Sequence, residues 1–118
     1  MAQARDDATR HHNDVHLIGR LAAPAVARVL PSGDPLVSWR LVVERPPESR
    51  RRPGAVDTID CASWRAGVRR AVQPWVAGDL IEVTGALRRR FFRTPAGAVS
   101  RYEVDAVAVR RIIRRPAR

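Results

Sequence analysis

Apolar and polar residues alternate along most of this chain, a pattern typical of β-strands that bury one face. Proline and glycine interrupt the alternation, most clearly at PSGDP (31–35) and at AGD (77–79), where turns are expected. Between 46 and 55 the sequence PPESRRRPGA predicts a polar loop. The stretches predicted as strands are 15–21, 36–45, 56–64, 80–90 and 101–111, with a short extended piece at 25–30.

One stretch follows helical spacing instead. Val68, Ala71, Val72 and Trp75 recur at the spacing of a helix face, which predicts a helix over about 65–75. Pro74 lies inside this pattern, so the last turn is expected to be irregular. The element order is three strands, a helix and two strands. We therefore predict an all-β chain, a five-stranded Greek-key OB-fold barrel with one short helix between its third and fourth strands.

The same patterns divide the chain into three parts. Residues 1–12 are polar and charged without periodicity, and we expect them to form a flexible N-terminal arm. Residues 13–113 carry the strand and helix patterns and are predicted to form one OB-fold domain. Residues 114–118 form a short basic end.

Charge narrows the range of functions. The chain has 22 basic residues, all arginine, against 12 acidic ones, a net charge of +10. Codon bias in a GC-rich genome accounts for most of the preference over lysine. The physical consequence remains, because guanidinium groups bind phosphates in a bidentate way and stack on bases. A strongly basic domain points first to nucleic acid and second to an anionic membrane surface. No basic amphipathic helix supports the membrane alternative.

Enzymatic and metal-binding patterns are absent from the sequence. His11 and His12 lie in the predicted arm, and His16 has no second ligand at metal spacing. Cys61 is the single cysteine, so no internal disulfide can form, and we expect a buried structural thiol in a reducing cytoplasm. No glycine-rich phosphate loop or paired acid/base carboxylates occur. We therefore expect neither catalysis nor a cofactor. The N-terminus has no secretory signal pattern, and no apolar run is long enough to span a membrane.

Several fragments in a fixed order resemble a known family. NxVxLxGxL at 13–21, PSGD at 31–34, VSWRLV at 37–42, GDLIEVTGxLRxR at 78–90 and RYEV at 101–104 are similar to bacterial single-stranded DNA-binding proteins. The resemblance covers about 13–113. It implies an OB domain that coats single-stranded DNA in replication, recombination and repair, as a dimeric or tetrameric homo-oligomer near the nucleoid. The family usually carries an acidic C-terminal tip. This chain ends in a basic stretch, so we expect an accessory paralogue without recruitment of other proteins by such a tail.

The resemblance also implies which residues bind nucleic acid. Trp64 and Phe92 fall on positions where bases stack in the family, whereas Pro47 and Thr58 replace two other stacking residues. The residues themselves support the first two assignments, because Trp64 lies on the polar face of its strand and the Phe91–Phe92 pair lies among arginines. Trp39 and Trp75 are in phase with apolar neighbours and are predicted to be core. The predicted nucleic-acid-binding residues are Trp64, Phe92, Phe91, Arg28, Arg88, Arg90, Arg93, Arg50, Arg51 and Arg52.

Two alternatives remain open from the sequence. The two replaced stacking positions are compatible with a protein-interaction module, similar to primosomal accessory proteins, that binds nucleic acid weakly or not at all. Single-stranded RNA is a second alternative, because stacking and arginine contacts distinguish ribose from deoxyribose only where a 2′-hydroxyl is contacted.

Overall fold

The computed structural model describes residues 9–49 and 51–117. A single 3-10 turn, Pro47–Ser49, lies in the loop between the third and fourth strands. The other elements in chain order are β1 (Val15–Leu21), β2 (Val26–Val29), β3 (Pro35–Glu44), β4 (Val56–Ser63), α1 (Ala66–Val72), β5 (Leu80–Thr94) and β6 (Gly97–Ile113).

Five of the strands close into a ring. β1 pairs antiparallel with β5 along its length, and its last two residues also pair with β3. β3 continues to β4, β5 pairs with β6, and a short parallel contact between β4 and β6 completes the circuit. β2 adds to the free edge of β3. This closed five-stranded ring, with one helix between β4 and β5, confirms the predicted OB fold.

The barrel interior is filled by the inward-facing residues of the ring. Leu21, Leu41, Ile81 and Val83 are fully buried there. Burial of each such side chain contributes about 1.5–3 kcal/mol relative to an exposed one. The predicted core positions of Trp39, Trp75 and Cys61 are confirmed, since all three are buried.

Helix α1 contributes to the same core through Val68 and Val72, but it is shorter than the sequence pattern indicates. Its last residue is Val72, because Pro74 has no amide hydrogen and cannot continue the helix. Trp75 still packs against the core from the irregular segment that follows.

The strands of the β5–β6 hairpin are longer than the predicted stretches 80–90 and 101–111. The strands continue to Thr94 and from Gly97, so only Pro95 and Ala96 form the turn. Proline fixes one backbone angle, and Gly97 adopts a φ of 123° that favours glycine. As a result the hairpin extends beyond the barrel. Leu87 has the phase of a core residue but is 46% exposed, which fits its place on the part of the hairpin that extends past the barrel.

Gly85 marks the place where the hairpin leaves the barrel. The pairing register of β5 and β6 shifts between Thr84 and Gly85, as it does at a β-bulge. A β-carbon at Gly85 would collide with the backbone carbonyl of Asp105, so only glycine fits without a backbone shift. Because a bulge bends and twists its strand, this glycine helps to set the direction of the hairpin.

A buried carboxylate fixes the segment after β6. Asp79 is 1% exposed and accepts hydrogen bonds from the backbone amides of Arg115 at 2.7 Å and Val76 at 3.1 Å. The Arg111 guanidinium lies 3.6 Å away. Burial alone would raise the pKa of Asp79, but the two amide donors and the Arg111 charge outweigh it and lower the pKa. Part of the basic end is thus tied to the barrel.

Candidate nucleic-acid interface

A groove of about 530 Å³ runs across the outer face of the sheet. Its floor contains Ser38 of β3 and the outward residues Asp60 and Ala62 of β4. Arg28 of β2 lines one side, and Phe92 of the β5–β6 hairpin lines the other. The groove therefore lies where β2 and the hairpin rise on either side of the central strands.

Strand alternation determines which hairpin residues face the groove. Cys61 of β4 pairs with Val104 of β6, and both are buried in the barrel, so their neighbours Ala62 and Asp105 share the outer face. On the hairpin the same outer face is formed by every second residue of each strand, and we call these residues the outer row. The row contains Arg88, Arg90 and Phe92 on β5 and Arg101, Glu103 and Asp105 on β6.

Trp64 lies at the end of β4, on the same face as this row. The side chain of Ser63, which precedes it, is buried and donates a hydrogen bond of 2.8 Å to the carbonyl of Ala106, which holds the end of the strand in place. Trp64 is consequently directed outward and is 36% exposed. The guanidinium carbon of Arg90 lies 5.0 Å from the centre of the indole ring, within the range of a cation–π contact.

Phe92 occupies the corresponding place on the hairpin. It is half-buried against the groove, and the guanidinium carbon of Arg101 lies 5.2 Å from its ring centre. The hairpin thus brings Phe92 to the face that Trp64 also occupies. Each ring is accompanied by an arginine that can contact a phosphate next to a stacked base.

Carboxylates pair with several of the groove arginines, and the sequence analysis did not identify them. Glu103 forms an ion pair with Arg90, and its side chain is only 12% exposed. The other two pairs are Arg40–Asp60 at 3.2 Å and Arg88–Asp105 at 3.6 Å. Strand alternation in the sequence places Asp60, Glu103 and Asp105 on the outer face together with the arginines. Which acidic residue meets which arginine depends on how distant strands pair, including the contact between β4 and β6, and alternation alone does not give this.

The remaining predicted residues lie apart from this row. Phe91 and Arg93 point to the opposite face of the hairpin, since they alternate with Phe92. Arg51 and Arg52 are exposed in the loop after the 3-10 turn, where they line a small hollow rather than the groove. Arg50 lies outside the described residues.

An ion pair crosses the base of that loop. Arg45 and Asp57 are joined at 2.7 Å, and the hydrogen bond from Arg45 lowers the pKa of the Asp57 carboxyl. This pair lies beyond the residues that line the groove.

Neither a metal site nor a membrane span is found in the described part of the chain. Residues 9–49 and 51–117 contain no group of three histidine, cysteine or acidic side chains placed to hold a metal ion. Within the same ranges, no helix has the length and apolar character needed to cross a bilayer.

Comparison with known proteins connects this fold to one family. The model of the single-strand binding protein family matches residues 12–112. A single-stranded DNA-binding protein of Streptococcus pyogenes is 31% identical over 85 residues, which cover 72% of this chain and 52% of the relative. A Streptococcus agalactiae relative, single-stranded DNA-binding protein 3, is 26% identical over 72% of this chain and 62% of its own length. The chain thus spans about half the length of the Streptococcus pyogenes relatives it matches.

Solved structures show the same fold. The Plasmodium falciparum SSB in its complex with ssDNA superposes with a TM-score of 0.69 at 18% identity, over 88% of this chain and 96% of that one. The small single-stranded DNA-binding protein from Streptomyces coelicolor superposes with a TM-score of 0.65 at 24% identity, over 87% and 96%.

Proposed function

Because the chain belongs to the single-strand binding protein family, we propose that it binds single-stranded DNA along the groove, without preference for base sequence. One observation carries this proposal most directly. Trp64, which directly follows β4, and Phe92 of β5 lie on the same outer face, and each ring centre is within 5.2 Å of a guanidinium carbon. Rings and cations in this arrangement match the bases and phosphates of a single strand.

The proposed mechanism uses stacking for the bases and arginine for the backbone. Each base that stacks on an aromatic ring contributes about 1–3 kcal/mol, and every base offers a flat face, so the contact ignores sequence. Arg28, Arg90 and Arg101 line the groove and are placed to contact phosphates. Duplex DNA hides its base faces in the helical stack and should bind less well.

Family membership supports the broader parts of the proposal. We infer that the protein protects single strands during replication, recombination and repair, in the cytoplasm and at the nucleoid, as a homo-oligomer with two or four OB folds. The folded unit is the domain at 13–113. Binding of DNA rather than catalysis is the proposed activity, and no cofactor is required.

Titration with oligo(dT) tests the proposal. Trp39 and Trp75 are buried, whereas Trp64 is exposed, so quenching of tryptophan fluorescence should come from Trp64. The affinity itself is measured by the anisotropy of a labelled oligonucleotide, which remains readable after Trp64 is removed. Trp64→Ala and Phe92→Ala should each weaken binding by about 1–3 kcal/mol. The exposed Val107, beside α1, provides the control Val107→Ala, which should bind as the unchanged protein does.

Three results would contradict the proposal. The first is equal affinity for a duplex of the same length. The second is full affinity in the Trp64→Ala and Phe92→Ala variants, which would leave the groove without a role. The third is negligible oligo(dT) binding together with either tight oligo(rU) binding or nuclease-resistant capture of a protein, which would favour one of the alternatives.

A further inference from the structure

The β5–β6 hairpin exposes a second aromatic surface on the face opposite the groove. Phe91 is 73% exposed, Tyr102 is 59% exposed, and the neighbouring Leu87 is 46% exposed. Strand pairing places Tyr102 directly across from Arg89 and next to Phe91. We call this surface, formed by Leu87, Arg89, Phe91, Arg93 and Tyr102, the back face of the hairpin.

Arg89 joins the two rings of the back face. Its guanidinium carbon lies 5.2 Å from the centre of the Phe91 ring and 5.7 Å from that of Tyr102. Its Nη2 donates a hydrogen bond of 3.1 Å to the hydroxyl oxygen of Ser100. The cation is therefore held between two exposed rings, and a flat ligand on either ring would lie beside a positive charge.

The back face carries less negative charge than the groove side of the sheet. On the groove side Arg40, Arg88 and Arg90 each have a carboxylate partner, whereas Arg28 and Arg101 have none among the described residues. On the back face, β5 contributes the cations Arg89 and Arg93, while β6 contributes no acidic side chain between Gly97 and Tyr102. Among the described residues, none forms an ion pair with Arg89 or Arg93. Their charge is thus open to an anionic ligand.

These features select one kind of occupant. Exposed rings next to uncompensated guanidinium groups fit a ligand that combines flat apolar rings with negative charge, as a nucleic-acid strand does. A second copy of this chain docked through the same face would bring its own Arg89 and Arg93 against these cations and be repelled. We propose that the back face binds nucleotides of the same single strand that occupies the groove, so that the DNA passes around the hairpin. This inference rests on the proposed function.

The edge of the hairpin allows such a path. The side chain of Asn13 makes two hydrogen bonds to the backbone of Leu87, of 2.7 and 2.9 Å, where the pairing with β1 ends. Beyond Leu87, no strand within the described ranges pairs with the outer edge of β5. Phe92 and Phe91 point to opposite faces, so one base cannot contact both rings. The back face therefore binds different nucleotides from the groove and lengthens the site.

Oligonucleotide length is the first test. Phe91→Ala combined with Tyr102→Ala is compared with the unchanged protein on oligo(dT) of about 4 to about 30 nucleotides, a range that brackets the site of one OB fold. Short oligonucleotides that fill only the groove should bind equally well to both. Longer ones should bind the double variant at least about fivefold more weakly, the equivalent of one lost stacking contact. Val107→Ala should not change the affinity at any length.

Photocrosslinking gives a direct readout. Oligonucleotides containing 5-bromodeoxyuridine are irradiated with the protein, and the adducts are mapped after trypsin digestion. Cleavage after Arg101 and Arg110 yields the fragment 102–110, in which Tyr102 is the single aromatic residue. An adduct on this fragment with long oligonucleotides, and its loss with short ones, is the expected result.

The outcomes separate this inference from the proposed function. If the protein binds oligo(dT) through Trp64 and Phe92, but the double variant binds every length equally well and fragment 102–110 stays unmodified, the back-face inference is wrong. A change in the solution mass of the DNA-free double variant would also overturn it, since the surface would then join copies of the chain. Absence of oligo(dT) binding by the unchanged protein would instead reject the proposed function itself.

Discussion

Glu103 is expected to restrain DNA binding, and Glu103→Gln should therefore increase the affinity for single strands. In the DNA-free protein the Glu103 carboxylate pairs with Arg90, whose guanidinium covers the Trp64 ring at 5.0 Å. A phosphate that contacts Arg90 must share this cation with the carboxylate. Glutamine keeps the shape and the acceptor oxygen but removes the negative charge.

The size of the effect follows from the expected separation of the charges. A phosphate bound to Arg90 would lie within about 8 Å of Glu103, where two like charges repel by about 2 kcal/mol at an effective dielectric constant of about 20. Physiological salt has a Debye length of about 8 Å and reduces this to about 1 kcal/mol. We expect about fivefold tighter binding of oligo(dT). The slope of log affinity against log salt concentration should steepen by about 0.7, the value for one further phosphate neutralised on a single strand.

Glu82 provides a matched control for the change in net charge. It also accepts a hydrogen bond from an arginine, Arg110, at 3.0 Å, but it does not line the groove. Glu82→Gln should leave affinity and salt slope nearly unchanged, because eight residues of β5 separate it from Arg90. At about 3.3 Å per residue that is roughly 26 Å, well beyond the screening length of about 8 Å. Equal tightening by both substitutions would show that net charge alone matters. Weaker binding of Glu103→Gln would show that the carboxylate positions Arg90 for DNA instead of competing with it.

Three further predictions concern stability and reactivity. Gly85→Ala should destabilise the fold by about 2–4 kcal/mol in urea unfolding, since its β-carbon would strike the carbonyl of Asp105; an unchanged midpoint would contradict the close approach. Burial, with the nearby carboxylates of Asp60 and Glu103, raises the pKa of the Cys61 thiol to about 12, so thiol reagents should label it only after unfolding, and rapid labelling of the native protein would refute this. The lowered pKa of Asp79 contributes stability that is present above its unfolded value of about 4 and is lost as pH falls through the folded value. Asp79→Asn should therefore have a lower melting temperature at neutral pH and a flatter dependence on pH below about 4, and identical pH profiles would contradict it.

The fold could be predicted because the positions of most strands and of the helix follow from patterns among neighbouring residues. Alternation placed the barrel strands, and helical spacing placed α1 between β4 and β5. Trp39 was identified as core because it shares a phase with Val37 and Leu41, and all three are buried. Such assignments need only neighbouring residues and one buried face.

The hairpin could not be predicted as well, because its length depends on contacts that the pattern does not encode. The predicted strands end at 90 and resume at 101, which leaves ten residues for a loop, yet a turn of two residues suffices and both strands pair up to it. Loop length decides whether Phe91 and Phe92 belong to a mobile segment or alternate across a ribbon. Since they alternate, the two adjacent residues lie on opposite faces. The Phe91–Phe92 pair, which the sequence suggests as one binding feature, therefore contributes Phe92 to the groove and Phe91 to the back face.

Because carboxylates pair with several arginines near the groove, the net charge overstates how many cations there are free to bind phosphates. A basic sequence suggests that arginines near the binding face are free to meet phosphates, but Arg40, Arg88 and Arg90 are each paired with an acidic residue. Within the described ranges no ion pair engages the cations of the back face or those of the 51–52 loop. Arg28 and Arg101 are the groove cations without a carboxylate partner in those ranges, so the salt-dependent part of the affinity should come from these two together with the arginines outside the groove. A strand that extends from the groove around the hairpin would use both contributions, which is why affinity should depend on oligonucleotide length more steeply at low salt than at high salt.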